Sequence, residues 1–248
     1  QGKVTHYVAT FIDITAHKSS EEQIHKLAFF DPLTQLPNRR LLLERLDHAL
    51  RSSARHRRKG ALLLIDLDDF KSVNDTVGHH EGDRLLELVS RILRDCVRDE
   101  DTVARLGSDE FVVLLGSLGE DDMEAARRAE VVATKVLQAL NRSFPVGSTE
   151  YRCSATVGIT LFGDSPGESV SEPMKRVDLA LNQAKEAGGN NLCFYDPKMQ
   201  ADIHARTQLD AGLWSALEKG QFFLQYQPQV SADRQIIGVG ALVRWLHP

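Results

Sequence analysis

Residues 61–70 read ALLLIDLDDF, and no other stretch limits the possible folds as tightly. Alternate side chains of a strand point to opposite faces of a sheet, so an unbroken apolar run from Ala61 to Ile65 describes a strand covered on both faces. The run passes directly into Asp66, Asp68 and Asp69. A buried strand that ends this way delivers its carboxylates to one edge of a sheet. Any carboxylate that stays buried must be paired with positive charge, and Lys71 alone does not neutralise three. A hard divalent cation such as Mg2+ would, since it favours one or two carboxylates together with substrate phosphates. Taken by itself, the segment reads at least as readily as a solvated strand-to-loop junction carrying surface acids.

The remaining periodicities place helices and further strands around this one. Residues 39–58 read as a helix with Leu42, Leu46, Ala49 and Leu50 on one side and Gly60 beyond its end. In residues 82–97 the side chains Leu85, Leu88, Val89, Ile92, Leu93 and Cys96 recur at spacings of three and four, as an amphipathic helix requires. Residues 102–117 read as two strands flanking Gly107-Ser108, a hairpin. A helix over 121–141, a strand over 149–163, a helix over 173–187 and a strand over 191–196 follow. The order is β-α-β-β-α-β with additions. This predicts an α+β fold with a ferredoxin-like βαββαβ core, an antiparallel central sheet with helices packed on it. Outside this core, residues 4–14 read as a strand and 19–30 as a connecting helix. Residues 202–219 read as a helix, and 222–230 and 236–246 as strands.

A second group of acids lies at the hairpin. In Arg105-Leu106-Gly107-Ser108-Asp109-Glu110-Phe111, two small residues make a tight turn through which a ligand can approach the backbone. The two carboxylates that follow can reach a metal or take a proton. An ordinary hairpin with solvent-facing acids accounts for these residues equally well. In the expected fold, however, the two groups lie on neighbouring strands. A carboxylate cation site beside a small-residue turn is suited to metal-assisted phosphoryl or nucleotidyl transfer.

These residues carry a resemblance. RLGSDEF (105–111) resembles the signature of the GGDEF family of diguanylate cyclases. DPLTQLPNRR (31–40), LIDLDDFKSVND (64–75), VGHHEGD (77–83) and ALNQAKEAGGNN (180–191) match that family in order and spacing. The resemblance implies a cytoplasmic, GTP-binding domain that condenses two GTP into cyclic di-GMP as a homodimer, with Mg2+ or Mn2+ as cofactor. It implies Asp66, the Leu67 carbonyl and Asp109 as metal ligands. Asp109 and Glu110 become the catalytic acids. Phe70, Lys71, Gly107, Ser108 and Lys185 become contacts to the triphosphate side. Asn74 and Asp83 become the pair that reads guanine, for which an amide and a carboxylate are the right chemistry. Arg98 and Asp101, an RxxD shortly before the hairpin, resemble the family's inhibitory site for cyclic di-GMP; a charged helix end with a local salt bridge is the plain alternative.

Three positions depart from the family pattern. Ser108 stands where glycine is usual and would cost energy if the turn required positive φ. Gly189 stands where an arginine usually contacts phosphate, and Asn182 where a tyrosine is usual. An alternative function follows: a degenerate module that binds GTP or cyclic di-GMP and regulates a phosphodiesterase domain beside it. A dimerising fragment held together by the linker helix is a third reading.

The flanks resemble other domains. Residues 1–18 resemble the last strand of a PAS sensor domain, 19–30 a linker helix, 31–197 the GGDEF domain, and 198–248 the start of an EAL phosphodiesterase domain. That family's metal-binding glutamate is replaced, since the triplet is Gly240-Ala241-Leu242; no phosphodiesterase activity is expected. Both ends read as segments of a longer protein.

Bulk properties narrow the classes. A net charge of −5 gives no broad basic surface, so a nucleic acid polymer is not the expected partner. Three cysteines without CxxC spacing argue against a disulfide framework or a zinc site. Two other clusters have plain readings: Arg55-His56-Arg57-Arg58-Lys59 as a solvated helix end, and His79-His80-Glu81 as a turn or helix start.

Overall fold

The computed structural model describes residue 24, residues 26–146, 149–163 and 167–196, and beyond these 198–199, 201, 209, 212–213, 216–231 and 233–246. The expected strand over 4–14 and most of the expected helix over 202–219 lie outside the described residues. The chain divides into two compact units, 1–196 and 197–248.

Residues 26–29, the described end of the expected connecting helix, are helical, and a turn after them hands over to helix α1 (Arg39–His56). Asn38 starts this helix: its side-chain oxygen accepts from the backbone N–H of Arg40 at 2.9 Å and of Leu41 at 3.1 Å. Leu42, Leu46 and Leu50 form its buried stripe. Arg57 ends it in a left-handed conformation. Strand β1 (Lys59–Leu67) follows and is buried from Gly60 onwards, as its apolar run requires.

Two helices come next, α2 (Phe70–Val77) and α3 (His79–Cys96). His79 and His80 therefore open a helix. The hairpin is β2 (Thr102–Gly107) and β3 (Glu110–Gly119), and α4 (Asp122–Leu140) follows, capped by Asp121 onto the N–H of Glu124 at 2.8 Å. Then come β4 (Arg142–Val146), β5 (Thr149–Cys153), β6 (Ala155–Phe162), α5 (Ser171–Glu186) and β7 (Leu192–Phe194).

The central sheet runs β2-β3-β1-β6-β7. The four core strands pair antiparallel, in the order a ferredoxin-like core gives them. β7 adds to β6 in parallel, so the sheet is mixed rather than wholly antiparallel as the sequence suggested. The connection through α5 explains this, because a strand that returns by a crossover helix can lie parallel to the one it left. The expected single strand over 149–163 breaks at Ser154: β5 leaves to form a separate ribbon with β4, and β6 stays in the sheet.

Both faces of β1 are covered. Leu62 and Leu64 pack with Leu42, Leu46 and Leu50 of α1 and with Val177 and Leu181 of α5. Ala61, Leu63 and Ile65 point to the other face and are fully buried. Each such leucine contributes about 1.5–3 kcal/mol by leaving water. α5 lies unusually close to β6: a Cβ on Gly158 would stand 2.4 Å from the backbone N of Leu181 and 2.5 Å from the carbonyl O of Val177. Glycine is what permits this approach, and α5 brings Lys185 to the edge of the sheet.

In the second unit, β8 (Phe222–Val230) and β9 (Ile236–Trp245) form an antiparallel hairpin. Phe222 and Trp245 lie close across it, with ring centroids 6.0 Å apart. No helix among the described residues is long and apolar enough to cross a membrane.

Candidate active site

Asp66 is the last but one residue of β1, in register with Glu110 of β3 on one side and Thr156 of β6 on the other. It is only 9% exposed. Lys185, in the last turn of α5, places its ammonium 2.9 Å from Asp66 Oδ1. Burial pushes the Asp66 carboxyl above the usual carboxylate range, with help from the charges of Asp109 and Asp68; Lys185 opposes this. The Glu110 carboxyl is pushed up in the same way, by burial first and then by Asp66 and Asp109, with a further contribution from Asp178 of α5. Asp109 is joined to β1 through its backbone, its carbonyl accepting from the N–H of Leu67 at 3.3 Å. The fold thus gathers Asp66, Asp109, Glu110 and Lys185 at one end of the sheet. Among the described residues no three such acids converge tightly enough to hold a metal unaided.

The hairpin turn is shaped by Arg105. Its Nη1 donates to both oxygens of Asp31, at 3.1 and 3.2 Å, and its Nη2 donates to the carbonyl of Ser108 at 2.6 Å. Its backbone N–H donates to the carbonyl of Pro37 at 2.9 Å. One guanidinium therefore ties the Asp31–Pro37 turn to the Gly107-Ser108 turn. Burial pushes the Asp31 carboxyl up, but hydrogen bonds from the backbone and hydroxyl of Thr34 and the charge of Arg105 outweigh it. The net result is a pKa below the ordinary value. Ser108 does not take a left-handed backbone, and a Cβ at Gly107 would meet nothing within 4 Å. The expected strain of serine in this turn is absent.

The other expected residues fall on α2 and α3. Phe70 is buried at the start of α2, and Lys71 beside it is exposed. Asn74 of α2 lies directly against Gly82 of α3, where a Cβ would stand 2.0 Å from Asn74 Oδ1. A glycine at 82 is therefore what lets the Asn74 amide lie beside the chain at Asp83, which is exposed.

Arg98 and Asp101 form a tight turn. The N–H of Asp101 donates to the Arg98 carbonyl at 3.0 Å, and Asp101 Oδ2 accepts from the N–H of Arg98 at 3.1 Å. Asp101 also accepts from the N–H of Gly116 on β3. Burial raises its pKa in spite of these bonds. Both side chains line a cavity of about 560 Å3 together with Arg127, Arg128 and Lys135. Arg127 and Arg128 hold the Glu124 carboxyl down at about 2.

Five contributing residues were not singled out from the sequence: Asp31, Arg105, Asp68, Ser154 and Thr156. The Asp31–Arg105 pair joins residues too distant in sequence for any pattern to connect them. Asp68 was counted only as one acid among three; in the structure its carboxylate accepts from Ser154 Oγ at 2.7 Å, Thr156 Oγ1 at 2.6 Å and the N–H of Asn190 at 3.2 Å. Ser154 and Thr156 alternate along the chain and so share a face, which is the one signal that could have revealed them.

The described residues thus form a mixed α+β sheet with acids and a lysine gathered at one end. The comparison with known proteins makes this fold class specific. The model of the GGDEF family (diguanylate cyclase, GGDEF domain) matches residues 28–191, and the chain belongs to that family. It is similar to the bifunctional diguanylate cyclase/cyclic di-GMP phosphodiesterase MucR of Pseudomonas aeruginosa, with 41% identity over 96% of this chain and 34% of the relative. The cyclic di-GMP phosphodiesterase PdeR of Escherichia coli is 34% identical over 95% of this chain and 34% of its own length. The chain thus spans about a third of the length of these curated relatives. Among solved structures, diguanylate cyclase SiaD from Pseudomonas aeruginosa, crystallised with its activator SiaC, matches with a TM-score of 0.62 and 34% identity, over 72% of this chain and 66% of that one. The coiled coil and GGDEF domain of DgcB from Caulobacter crescentus, in complex with c-di-GMP, match with a TM-score of 0.63 and 26% identity, over 73% and 93%.

Proposed function

We propose that this domain is a diguanylate cyclase. Each protomer of a homodimer holds one GTP. The 3′-hydroxyl oxygen of each GTP forms a bond to the α-phosphorus of the other, and the α–β phosphoanhydride bond breaks. One cyclic di-GMP and two pyrophosphates result. The observation that carries this reading is the buried Asp66, set in register with Glu110 and paired with Lys185.

A divalent ion fits the chemistry of this donor set, because Asp66, Asp109 and Glu110 outnumber the one ammonium that faces them. Asp66, Asp109 and the Leu67 carbonyl would hold Mg2+ or Mn2+, which would supply charge neutralisation for the phosphates. The protein's own groups do the rest. Asp109 accepts the proton of the 3′-hydroxyl, with Glu110 beside it. Lys71 and Lys185 meet the phosphates as point charges, Phe70 supports the start of α2 beneath them, and the Gly107-Ser108 turn allows close approach. Asn74 and Asp83 hydrogen-bond the guanine edge. Arg98 and Asp101 bind cyclic di-GMP as an inhibitory product.

A second reading has its own support. Gly189 brings no guanidinium to the phosphates, and PdeR, similar over nearly the whole chain, is named a phosphodiesterase. On this reading the domain binds GTP or cyclic di-GMP and regulates an EAL domain. Residues 1–18, 19–30 and 198–248 are, in this proposal, the end of a PAS domain, a linker helix and the start of an EAL domain in a longer cytoplasmic protein. Incubating the purified chain with GTP and Mg2+ tests the choice. The cyclase reading expects cyclic di-GMP; GTP bound but unconverted would leave only the second.

A further inference from the structure

Asp68 stands two residues beyond Asp66 and would ordinarily be counted as another metal-binding acid. Its surroundings assign it otherwise. Oδ1 accepts from Thr156 Oγ1 at 2.6 Å, and Oδ2 accepts from Ser154 Oγ at 2.7 Å and from the N–H of Asn190 at 3.2 Å. The N–H of Asp68 donates to the carbonyl of Ser154 at 3.0 Å. Thr156 Oγ1 in turn accepts from the N–H of Asn190 at 3.0 Å. Three separate pieces of chain meet on one carboxylate: the end of β1, the start of β6 and the turn after α5.

That turn has an unusual backbone. Gly188, Gly189 and Asn190 all lie at positive φ, at 114°, 69° and 48°. Such a run is costly to hold for a non-glycine residue and persists only where neighbours impose it. Gly188 and Gly189 are held by helix-closing bonds, from the Gly188 N–H to the Lys185 carbonyl at 3.0 Å and from the Gly189 N–H to the Ala184 carbonyl at 3.3 Å, and the non-glycine Asn190 is held by the bonds from its N–H to Asp68 and Thr156. The turn packs directly on the same groups, since a Cβ at Gly189 would stand 3.3 Å from Thr156 Oγ1 and 3.5 Å from Asp68 Oδ1. Lys185 lies just before the turn, with its ammonium on Asp66.

We propose that Asp68 is a positioning residue: it clamps the Gly188–Asn190 turn to the end of β1 and thereby fixes the Lys185 ammonium where it meets the triphosphate. This deepens the nucleotide-site reading above and rests on it. A saturated carboxylate that orients a neighbour can matter about tenfold or more to ligand affinity without touching the ligand.

The test has two parts. In hydrogen exchange on the nucleotide-free chain, Asp68→Asn and Thr156→Val should strip protection from residues 187–191, and Thr156→Ser, which keeps the hydroxyl, should preserve it. Unchanged protection in Asp68→Asn would overturn the clamp whatever the ligand. In calorimetric titration, Asp68→Asn should weaken Mg·GTP binding about tenfold and leave guanosine binding unchanged. In a Lys185→Met background, Asp68→Asn should add little to the loss, because the effect passes through Lys185. An equal loss in both backgrounds, or an equal loss for guanosine, would overturn the positioning role. Ser154→Ala removes one bond of the three and serves if Asp68→Asn does not fold. A wild type that fails to bind Mg·GTP would overturn the nucleotide reading and this proposal with it. A wild type that binds while Asp68→Asn binds equally well would overturn this proposal alone.

Discussion

Asp66 and Asp101 are both carboxylates that burial pushes to higher pKa, yet they are held in different ways. Asp66 sits on a central strand and takes its cation from α5, far along the chain. Asp101 closes its own turn through the N–H of Arg98 and reaches β3 through the N–H of Gly116. The first arrangement concentrates net negative charge beside a single ammonium, which suits it to a cation. The second satisfies its acid with backbone donors and leaves the Arg98 side chain exposed at the rim of a basic cavity. The first arrangement therefore rests wholly on the tertiary fold, whereas the second fixes its acid mainly within its own turn and takes the Gly116 N–H and the cavity walls of Arg127, Arg128 and Lys135 from the fold around it.

The contrast can be broken by mutation, and the largest effect belongs to the first region. Asp66→Asn should lower cyclic di-GMP formation by roughly 10^3-fold, the scale of a lost charged catalytic-site group, while circular dichroism still reports a folded domain. A variant that unfolds instead would show that Asp66 matters chiefly to stability. Next comes the clamp behind the site. Arg105→Ala strands the largely buried Asp31 carboxylate and should cost about 3 kcal/mol in denaturant unfolding. Asp31→Asn sharpens this point through pH. Because the folded-state pKa of Asp31 is depressed, its contribution is present above the unfolded pKa and is lost as pH falls through the folded one. The Tm gap between wild type and Asp31→Asn should therefore be widest near neutrality and close on acidification. A gap independent of pH would contradict the assignment.

The smaller effects belong to the second region. Arg98→Ala should weaken cyclic di-GMP binding about tenfold and change stability by less than about 0.5 kcal/mol, as surface substitutions do. Unchanged affinity would remove the inhibitory-site proposal. Asp101→Ala should cost about 1 kcal/mol, the value of a lost turn or cap acceptor, and should weaken cyclic di-GMP binding in the same direction as Arg98→Ala.

The same contrast governs what could be read from the sequence. The buried strand β1 was legible because an unbroken apolar run has few other uses, and α3 because its apolar residues keep helical spacing from Leu85 to Cys96. α2 was missed: only Phe70 and Val73 of its short span are buried, too few to make a periodic stripe. The break at Ser154 was missed because the serine turns its hydroxyl to Asp68, a partner that only the folded sheet supplies. The parallel pairing of β7 depends on how α5 returns the chain, which no local pattern records. At the site, the acids at 66, 109 and 110 stand in compact motifs that a sequence shows directly, and the structure brings them to one end of the sheet. The Asp31–Arg105 clamp and the Asp68 knot join residues far apart in sequence, and their components look like ordinary turn and surface residues until the fold brings them together.

The central claim is that the acids at the end of the sheet turn over GTP, and one measurement addresses it most directly. Purified wild type and Asp109→Ala would be incubated side by side with GTP and Mg2+, and cyclic di-GMP and bound GTP quantified in each. The account predicts product from the wild type, none from the variant, and GTP bound by both. Undiminished product from Asp109→Ala, or a wild type that binds GTP and makes no product, would contradict it.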